Sequence, residues 1–257
     1  MSFNYNKILN IPERAIISKK ISKAFFIRNF ELSSADKKIL NEIVMMEWLA
    51  SIKPSNSNIT LFQNETYNFE EIQVMTCTLS GNLIKGTIDR VTNLFQKHIP
   101  YPIFLVIENA DEFVVNVCDK KINQNDKSKR TIEAFINSPN VSKLYKNELV
   151  GAFFEGLDFA VLDKTNLETT YKSYTSAIVQ FQTAMVTGTF NKRSSIRTED
   201  DLKHLETIQK IEKEILTLSN QIKKESQLNT RVSLNIEIQK KKSTIQNIIS
   251  NISKNEH

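Results

Sequence analysis

Glycine is the first scarcity. The 257 residues hold five, at positions 81, 86, 151, 156 and 188. None falls in a GxGxxG or GxxxxGK pattern, so nucleotide binding through a known glycine-rich loop has no support. Cysteine is scarcer still. Cys77 and Cys118 lie in strand-like stretches without the second pair that a zinc spacing needs, and they read as buried free thiols packing as small hydrophobes. The three histidines, His98, His204 and His257, are scattered, which argues against a histidine-built metal site. No apolar run reaches the roughly 18 residues of a membrane-spanning helix. MSFNYNKILN also lacks a charged segment followed by an apolar one, so an export signal is not expected and a cytoplasmic location is.

What is present is ordinary for a globular chain: 40% hydrophobic and 25% charged residues, enough for one large domain or a medium domain with an appendage. The net charge of +5 is unevenly placed. Lys7, Arg14, Lys19, Lys20, Lys23 and Arg28 face Glu13 alone in the first thirty residues, among Ile16, Ile17, Ile21, Phe25, Phe26 and Phe30. This reads as an irregular basic arm anchored by its aromatic residues. A solvated face is the plain explanation of the charge, and contact with a phosphate backbone is the functional one.

Ser33 and Asp36 form a capping pair, and SADKKILNEIVMMEWLASI follows at helical period, predicting a helix that ends before Lys53-Pro54. In that helix Ile39, Leu40, Ile43, Val44 and Trp48 would face inward. A short strand is expected over 58–62. The stretch 69–121 organises the rest. EIQVMTCTL is β-rich and closes on Ser80-Gly81, and Ile84, Ile88, Val91 and Phe95 then recur at spacings of four, three and four on one helical face. IFLVI is an uninterrupted apolar strand of the kind covered on both faces. A right-handed crossover makes the two strands parallel, and FVVNVC pairs back as an antiparallel hairpin.

KKINQNDKSKR, residues 120–130, reads as an exposed basic loop. With the arm it supplies candidate nucleic-acid contacts: Lys19, Lys20, Lys23, Arg28, Lys120, Lys121, Lys127, Lys129 and Arg130. TIEAFIN and ELVGAFFEG are expected as edge strands. Thr165 with Glu168 is expected to cap a helix through Tyr171, Tyr174, Ile178 and Phe181. TGTFNKRSSIRTED reads as a linker, with Thr198 and Asp201 capping the helical region beyond it.

Ile208, Ile211, Ile215, Leu218 and Ile222 then repeat at three, four, three and four, a coiled-coil seam. It breaks at KKESQLNT and resumes through Leu234, Ile238, Ile245, Ile248 and Ile252. Two helices of similar length with a polar break predict an antiparallel hairpin, and a single long dimerising helix is the competitor. The seam residues Ile208, Ile211, Ile215, Leu218, Ile222, Leu234, Ile238 and Ile245 are candidates for binding a partner protein or a second copy. The whole reads as α+β: a mixed sheet with a β-α-β-β core over residues 1–190, then a linker and helical hairpin or coiled coil over 191–257.

Several of these stretches carry a resemblance: the basic arm with its Phe-rich end, IPYPIFLVIE after its amphipathic helix, FEGLDF at 154–159, and ESQLNTRVSLNIEIQKKKSTI. Together they resemble the bacterial domain-of-unknown-function family numbered 4391 over nearly the whole chain. The resemblance implies a context, small accessory proteins beside helicases and DNA methyltransferases in restriction-like and phage-defence clusters. It implies no activity, cofactor or catalytic residue.

The order helix, strand, strand, helix, strand is also that of the PD-(D/E)XK nuclease core, in which an acid and a Glu-x-Lys on adjacent strands hold a metal ion. Here the strand reads Met75, Thr76, Cys77, Thr78. Glu70 and Glu71 sit at its entry, and Lys85 and Asp89 in the helix beyond. Without carboxylates a divalent cation has no ligands, so an active nuclease is disfavoured and a degenerate core of that order is the remaining form of the idea. Glu155 and Asp158 could be read as paired carboxylates, but a turn acid and a helix-entry acid are the plainer reading. Neither catalytic residues nor a cofactor are expected. A non-enzymatic adaptor that docks a helicase or methyltransferase subunit through its C-terminal helices is the leading expectation, with direct nucleic-acid binding the alternative.

Overall fold

The computed structural model describes residues 4–127, 129–144 and 147–254. It divides into two compact units, Met1–Ile178 and Val179–His257, with the division falling inside one long helix.

The first unit opens with structure where an irregular arm was expected. Helix α1 (Tyr5–Leu9) is capped by Asn4, and strand β1 (Ile16–Ile21) and helix α2 (Lys23–Asn29) follow. Ser22 caps α2 through its hydroxyl to the Phe25 N–H, and Phe26 on α2 is fully buried. β1 is regular enough to pair with a neighbouring strand, with one bulge marked by Ser18 at φ 49.

Helix α3 (Ser34–Glu42) carries the expected Ser33–Asp36 capping box but stops at Glu42, and Ile43–Ile52 is strand β2 rather than more helix. The helical reading rested on Ile43, Val44 and Trp48 continuing the spacing of Ile39 and Leu40. Two bulges, between Ile43 and Met45 and between Trp48 and Ala50, each shift the pleat by one residue, and burial falls at Ile43 and Met46 and then runs unbroken over 49–52. Val44, expected inside, is 64% exposed. The backbone of β2 is paired on both sides, to β1 and to β5, and this tertiary pairing overrides the local helical signal.

A single turn, α4 (Pro54–Ser57), leads to a two-residue ribbon, β3 (Phe62–Gln63) with β4 (Asn68–Phe69). The strand expected over 58–62 is thus reduced to its last residue and one beyond. The central unit then follows as expected: β5 (Ile72–Leu79), α5 (Lys85–His98), β6 (Ile103–Glu108) and β7 (Glu112–Ile122). β5 and β6 are parallel, and β7 returns antiparallel.

Edge strand β8 (Arg130–Asn137) pairs with β7, as does the short β9 (Val141–Ser142). ELVGAFFEG forms helix α6 (Glu148–Leu157) instead of a strand. Asn147 caps it, and the buried Val150, Phe153 and Leu157 are spaced three and four apart, a helical period beneath a β-like composition.

The main sheet therefore runs β1-β2-β5-β6-β7-β8, antiparallel except at β5/β6. Alternation along β6 splits the core between its faces. Ile103, Leu105 and Ile107 join Ile88, Val91, Leu94 and Phe95 of α5, while Phe104 meets Tyr174 with ring centroids 4.6 Å apart. Tyr174 and Tyr171 lie on helix α7 (Leu167–Thr187). The buried Tyr171 hydroxyl accepts from the Cys118 N–H at 2.9 Å and donates to the Ile103 carbonyl at 3.0 Å, stitching the helix to the two strands. The cap of α7 is Asn166, bonded reciprocally with Thr169, one residue along from the expected Thr165–Glu168 pair. Glu168 pairs instead with Lys172.

In the second unit, α8 (Ser195–Lys224) and α9 (Leu228–Ser253) pack together as an antiparallel hairpin within one chain. Arg193 and Arg197, at the start of α8, donate to the Ile252 and Asn251 carbonyls at the end of α9, at 2.7 and 2.9 Å. Nearer the turn, Lys241 pairs with Glu214 at 2.7 Å. Ser194 caps α8, so Thr198 and Asp201 are not the cap that was expected. Asp201 is fully buried and faces Arg193 and Arg197 at 3.3 and 3.2 Å. That triad lets two guanidinium groups close the carbonyl end of α9 without leaving their charge uncompensated. No described helix is long and apolar enough to cross a membrane.

Candidate functional site

Open α/β sheets hold their ligands at the carboxyl ends of parallel strands. Here that end is built around Glu108, the last residue of β6. Its carboxylate accepts from the Tyr5 hydroxyl at 2.6 Å, the Thr78 hydroxyl at 2.9 Å and Lys143 Nζ at 2.7 Å. Lys143 also donates to the Asn109 carbonyl at 2.6 Å. Burial, and then the bond to Glu108, push the Tyr5 phenol far above its ordinary range. The carboxylate is thus engaged on both oxygens, and its three donors come from α1, β5 and the segment after β9. Such a group fastens distant parts of the chain together and leaves no free base. Glu108 could have been noticed as the acid that ends the IFLVI run, but nothing local in the sequence points to Tyr5 or Lys143.

The positions where a nuclease would hold its metal do not assemble one. Among the described residues no three His, Cys, Asp or Glu side chains gather at a metal-binding distance. Lys85 and Asp89 form an exposed pair one helical turn apart, Glu70 accepts from Asn68, and Glu71 accepts from the Ser51 hydroxyl at 2.9 Å. Asp158, at the end of α6, accepts from Asn10 and from the Ala160 N–H, as a turn acid does. Cys77 and Cys118 are buried and unbridged. Burial drives the Cys77 thiol well up and holds that of Cys118 up at about 12, so neither offers a thiolate. His257 lies outside the described residues.

The basic residues have separate fates. Lys19 and Lys20 are exposed on β1, and Arg28 is exposed on α2. Lys23 is half-buried and donates to the Asn41 carbonyl. The expected loop at 120–130 is shorter than it reads, since β7 extends to Ile122 and β8 begins at Arg130. Lys120 is therefore no phosphate ligand. It is buried, and its Nζ donates to the Ile99 carbonyl at 2.7 Å and the Tyr101 carbonyl at 2.9 Å. Burial first, with Arg130 adding repulsion, brings its ammonium down to about 7. Lys121 is tied to Glu133 at 2.6 Å and Lys129 to Asp126 at 3.2 Å, Arg130 donates to the Lys127 and Lys129 carbonyls, and Lys127 is exposed.

In the hairpin the seam faces inward. Ile208 and Ile238 are buried, and Ile211, Ile215, Leu218, Ile222, Leu234 and Ile245 are half-buried. Apolar residues outside the seam stay open: Leu228, Val232 and Ile236 are 71%, 50% and 53% exposed. Spaced four apart, they form one stripe along α9. The stripe runs into a groove of about 490 Å³ lined by Val232, Asn235, Ile236, Gln239, Lys240 and Ser243. A search for the inward seam passes over this stripe, because it lies off the heptad positions.

No curated protein and no solved structure matches the chain. One family model does, described as Domain of unknown function (DUF4391), over residues 9–245, which takes in the sheet unit and most of both hairpin helices. The chain therefore belongs to the DUF4391 family.

Proposed function

We propose that this protein is a non-catalytic adaptor whose C-terminal hairpin docks a larger partner, a helicase or DNA methyltransferase subunit of a restriction-like or phage-defence system. One observation carries the reading: the exposed stripe Leu228, Val232 and Ile236 on α9, with its adjoining groove. A helix with one apolar face turned to its hairpin partner and a second turned outward has the form of a helix-in-groove contact. The docking surface is accordingly placed on this outer stripe, with the inward seam supplying the hairpin's own stability.

The double variant Val232→Glu, Ile236→Glu tests it. Co-purification of the full chain with the neighbouring gene products is expected to be lost, while helicity measured by circular dichroism is unchanged. Retained co-purification with such a partner would sink the proposal.

The sheet order supports a second reading that is compatible with the first. Antiparallel β2 and β5, with α5 crossing to the parallel β6, follow the helix, strand, strand, helix, strand order of a restriction-endonuclease-like core. With threonines at 76 and 78 on β5, this would be a core that keeps the scaffold without the metal ligands. Metal-dependent DNA cleavage by the purified protein in magnesium or manganese would refute the non-catalytic form of both readings.

A further inference from the structure

A crevice on the α5 face of the first unit plays no part in the adaptor reading. Its inner part is an apolar cavity of about 190 Å³ walled by Ile21, Phe25, Phe30, Trp48, Met75 and Tyr101. A cavity of about 150 Å³ already takes a benzene ring, so this one accommodates a planar heterocycle. Two polar side chains, Glu71 and Gln73, also line it. Glu71 is engaged with the Ser51 hydroxyl. Gln73 is only 3% exposed, and its amide is poorly served: Nε2 has one long contact, 3.5 Å to Ser51 Oγ, and the buried Oε1 has no partner. An unpaired buried amide oxygen calls for an explanation, and a ligand that supplies its donor is one.

A wider recess adjoins the cavity and shares Phe30 and Pro100 with it. Asn29, Lys97, His98, Lys129 and Arg130 border this recess, and Glu31 is the one carboxylate among its lining residues. His98 lies tilted against Phe30 with centroids 5.1 Å apart and faces Asp36 at 3.5 Å. The wall between the two spaces is held from behind, because Lys120 Nζ binds the carbonyls on either side of Pro100. An apolar slot with one amide, opening beside two lysines and an arginine, matches a ligand that is flat at one end and anionic at the other.

We infer that this double recess binds a nucleotide unit, with the base in the apolar cavity and the phosphate among Lys97, Lys129 and Arg130. The Gln73 amide offers an acceptor and a donor side by side, the pattern that reads the N6 and N7 edge of adenine. The surrounding rings stack on the base face, as on single-strand binding platforms. The same chemistry serves a free adenine nucleotide or an unpaired adenine within a strand.

Trp48 is the sole tryptophan and lines the cavity, so its emission reports occupancy directly. The full-length protein is titrated with AMP, with a 12-mer of oligodeoxyadenylate, and with ribose 5-phosphate as a control lacking the base. A saturable emission change with AMP or the 12-mer, absent with ribose 5-phosphate, is expected. Equal affinities identify a free nucleotide as the source, and a much tighter 12-mer identifies a strand.

Gln73→Leu is expected to weaken binding at least tenfold. Tyr101→Ala, at a ring 37% exposed, is expected to weaken it several-fold without changing the thermal unfolding midpoint, which keeps the test valid if the Gln73 variant folds poorly. No saturable change up to millimolar ligand, a response to ribose 5-phosphate equal to that with AMP, or undiminished binding by both variants would overturn the inference.

Discussion

In the first unit every residue of β6 from Ile103 to Ile107 is buried, whereas in the second most of the isoleucine seam is only half-buried and three apolar residues on one stripe of α9 stand open. The contrast follows from geometry. A strand with neighbours on both sides and helices over both faces leaves no direction for water. A two-helix hairpin covers one stripe of each helix and leaves the rest to solvent or to a partner. The sheet unit therefore gains its stability from apolar burial. In the hairpin, the ends of the helices depend on a single charged triad, Arg193, Asp201 and Arg197.

The largest test of that contrast lies in the sheet unit. Phe104→Ala removes a fully buried ring packed against Tyr174 and is expected to cost about 3–5 kcal/mol, read by urea denaturation followed through Trp48 emission. A loss below 1 kcal/mol would mean that this core is not close-packed. Next comes the hairpin: Asp201→Ala leaves two guanidinium groups without their buried counter-ion and is expected to cost about 3 kcal/mol. The loss of helicity on heating measures it, and hydrogen exchange should localise the weakening to the ends of α8 and α9. If the variant melts like the parent, the triad is not what fixes the hairpin.

A third effect is graded, small at each step of pH and cumulative across several units. Lys120 titrates at about 7 in the folded chain and near its ordinary value of about 10.4 when unfolded. Between those values the unfolded chain binds more protons, so stability rises with pH by at most about 1.4 kcal/mol per unit. Below about 7 both states carry the proton and the penalty for the buried charge is present in full. The difference in unfolding free energy between the parent and Lys120→Met should therefore shift in favour of the parent as pH climbs from about 7 to about 10. A difference that stays constant with pH would show that Lys120 is held charged.

The parts legible in the sequence were those in which local pattern and tertiary role agree. Of Ile84, Ile88, Val91 and Phe95, read as one face of α5, the last three are buried while Ile84 precedes the helix and is 62% exposed, and IFLVI is the covered strand it was read as. The family and the α+β class were equally readable. Ile43–Ile52 was misread because Ile43, Val44 and Trp48 continue the helical spacing of Ile39 and Leu40 while pairing with β1 and β5 makes the segment a strand, and 148–157 because a helix carried β-like composition. The long-range contacts that build the clusters at Glu108 and Lys120 and tie α8 to the end of α9 were not legible, although Arg197 and Asp201 stand four residues apart. Tyr5 meets Glu108 across 103 residues and Arg193 meets Ile252 across 59, and no periodicity encodes a contact of that range.

Strand β1 ends the sheet, and among the described residues its outer backbone edge has no strand beside it in the sheet order. An open edge of this kind is a template on which another chain can add, the first step of aggregation. Lys19 and Lys20 stand exposed along it, and the left-handed Ser18 breaks its register at the bulge. Charge and irregularity together make that edge a poor template. Two of the lysines first read as candidate ligands for nucleic acid thus have a second reason to be where they are, in guarding that edge against strand addition.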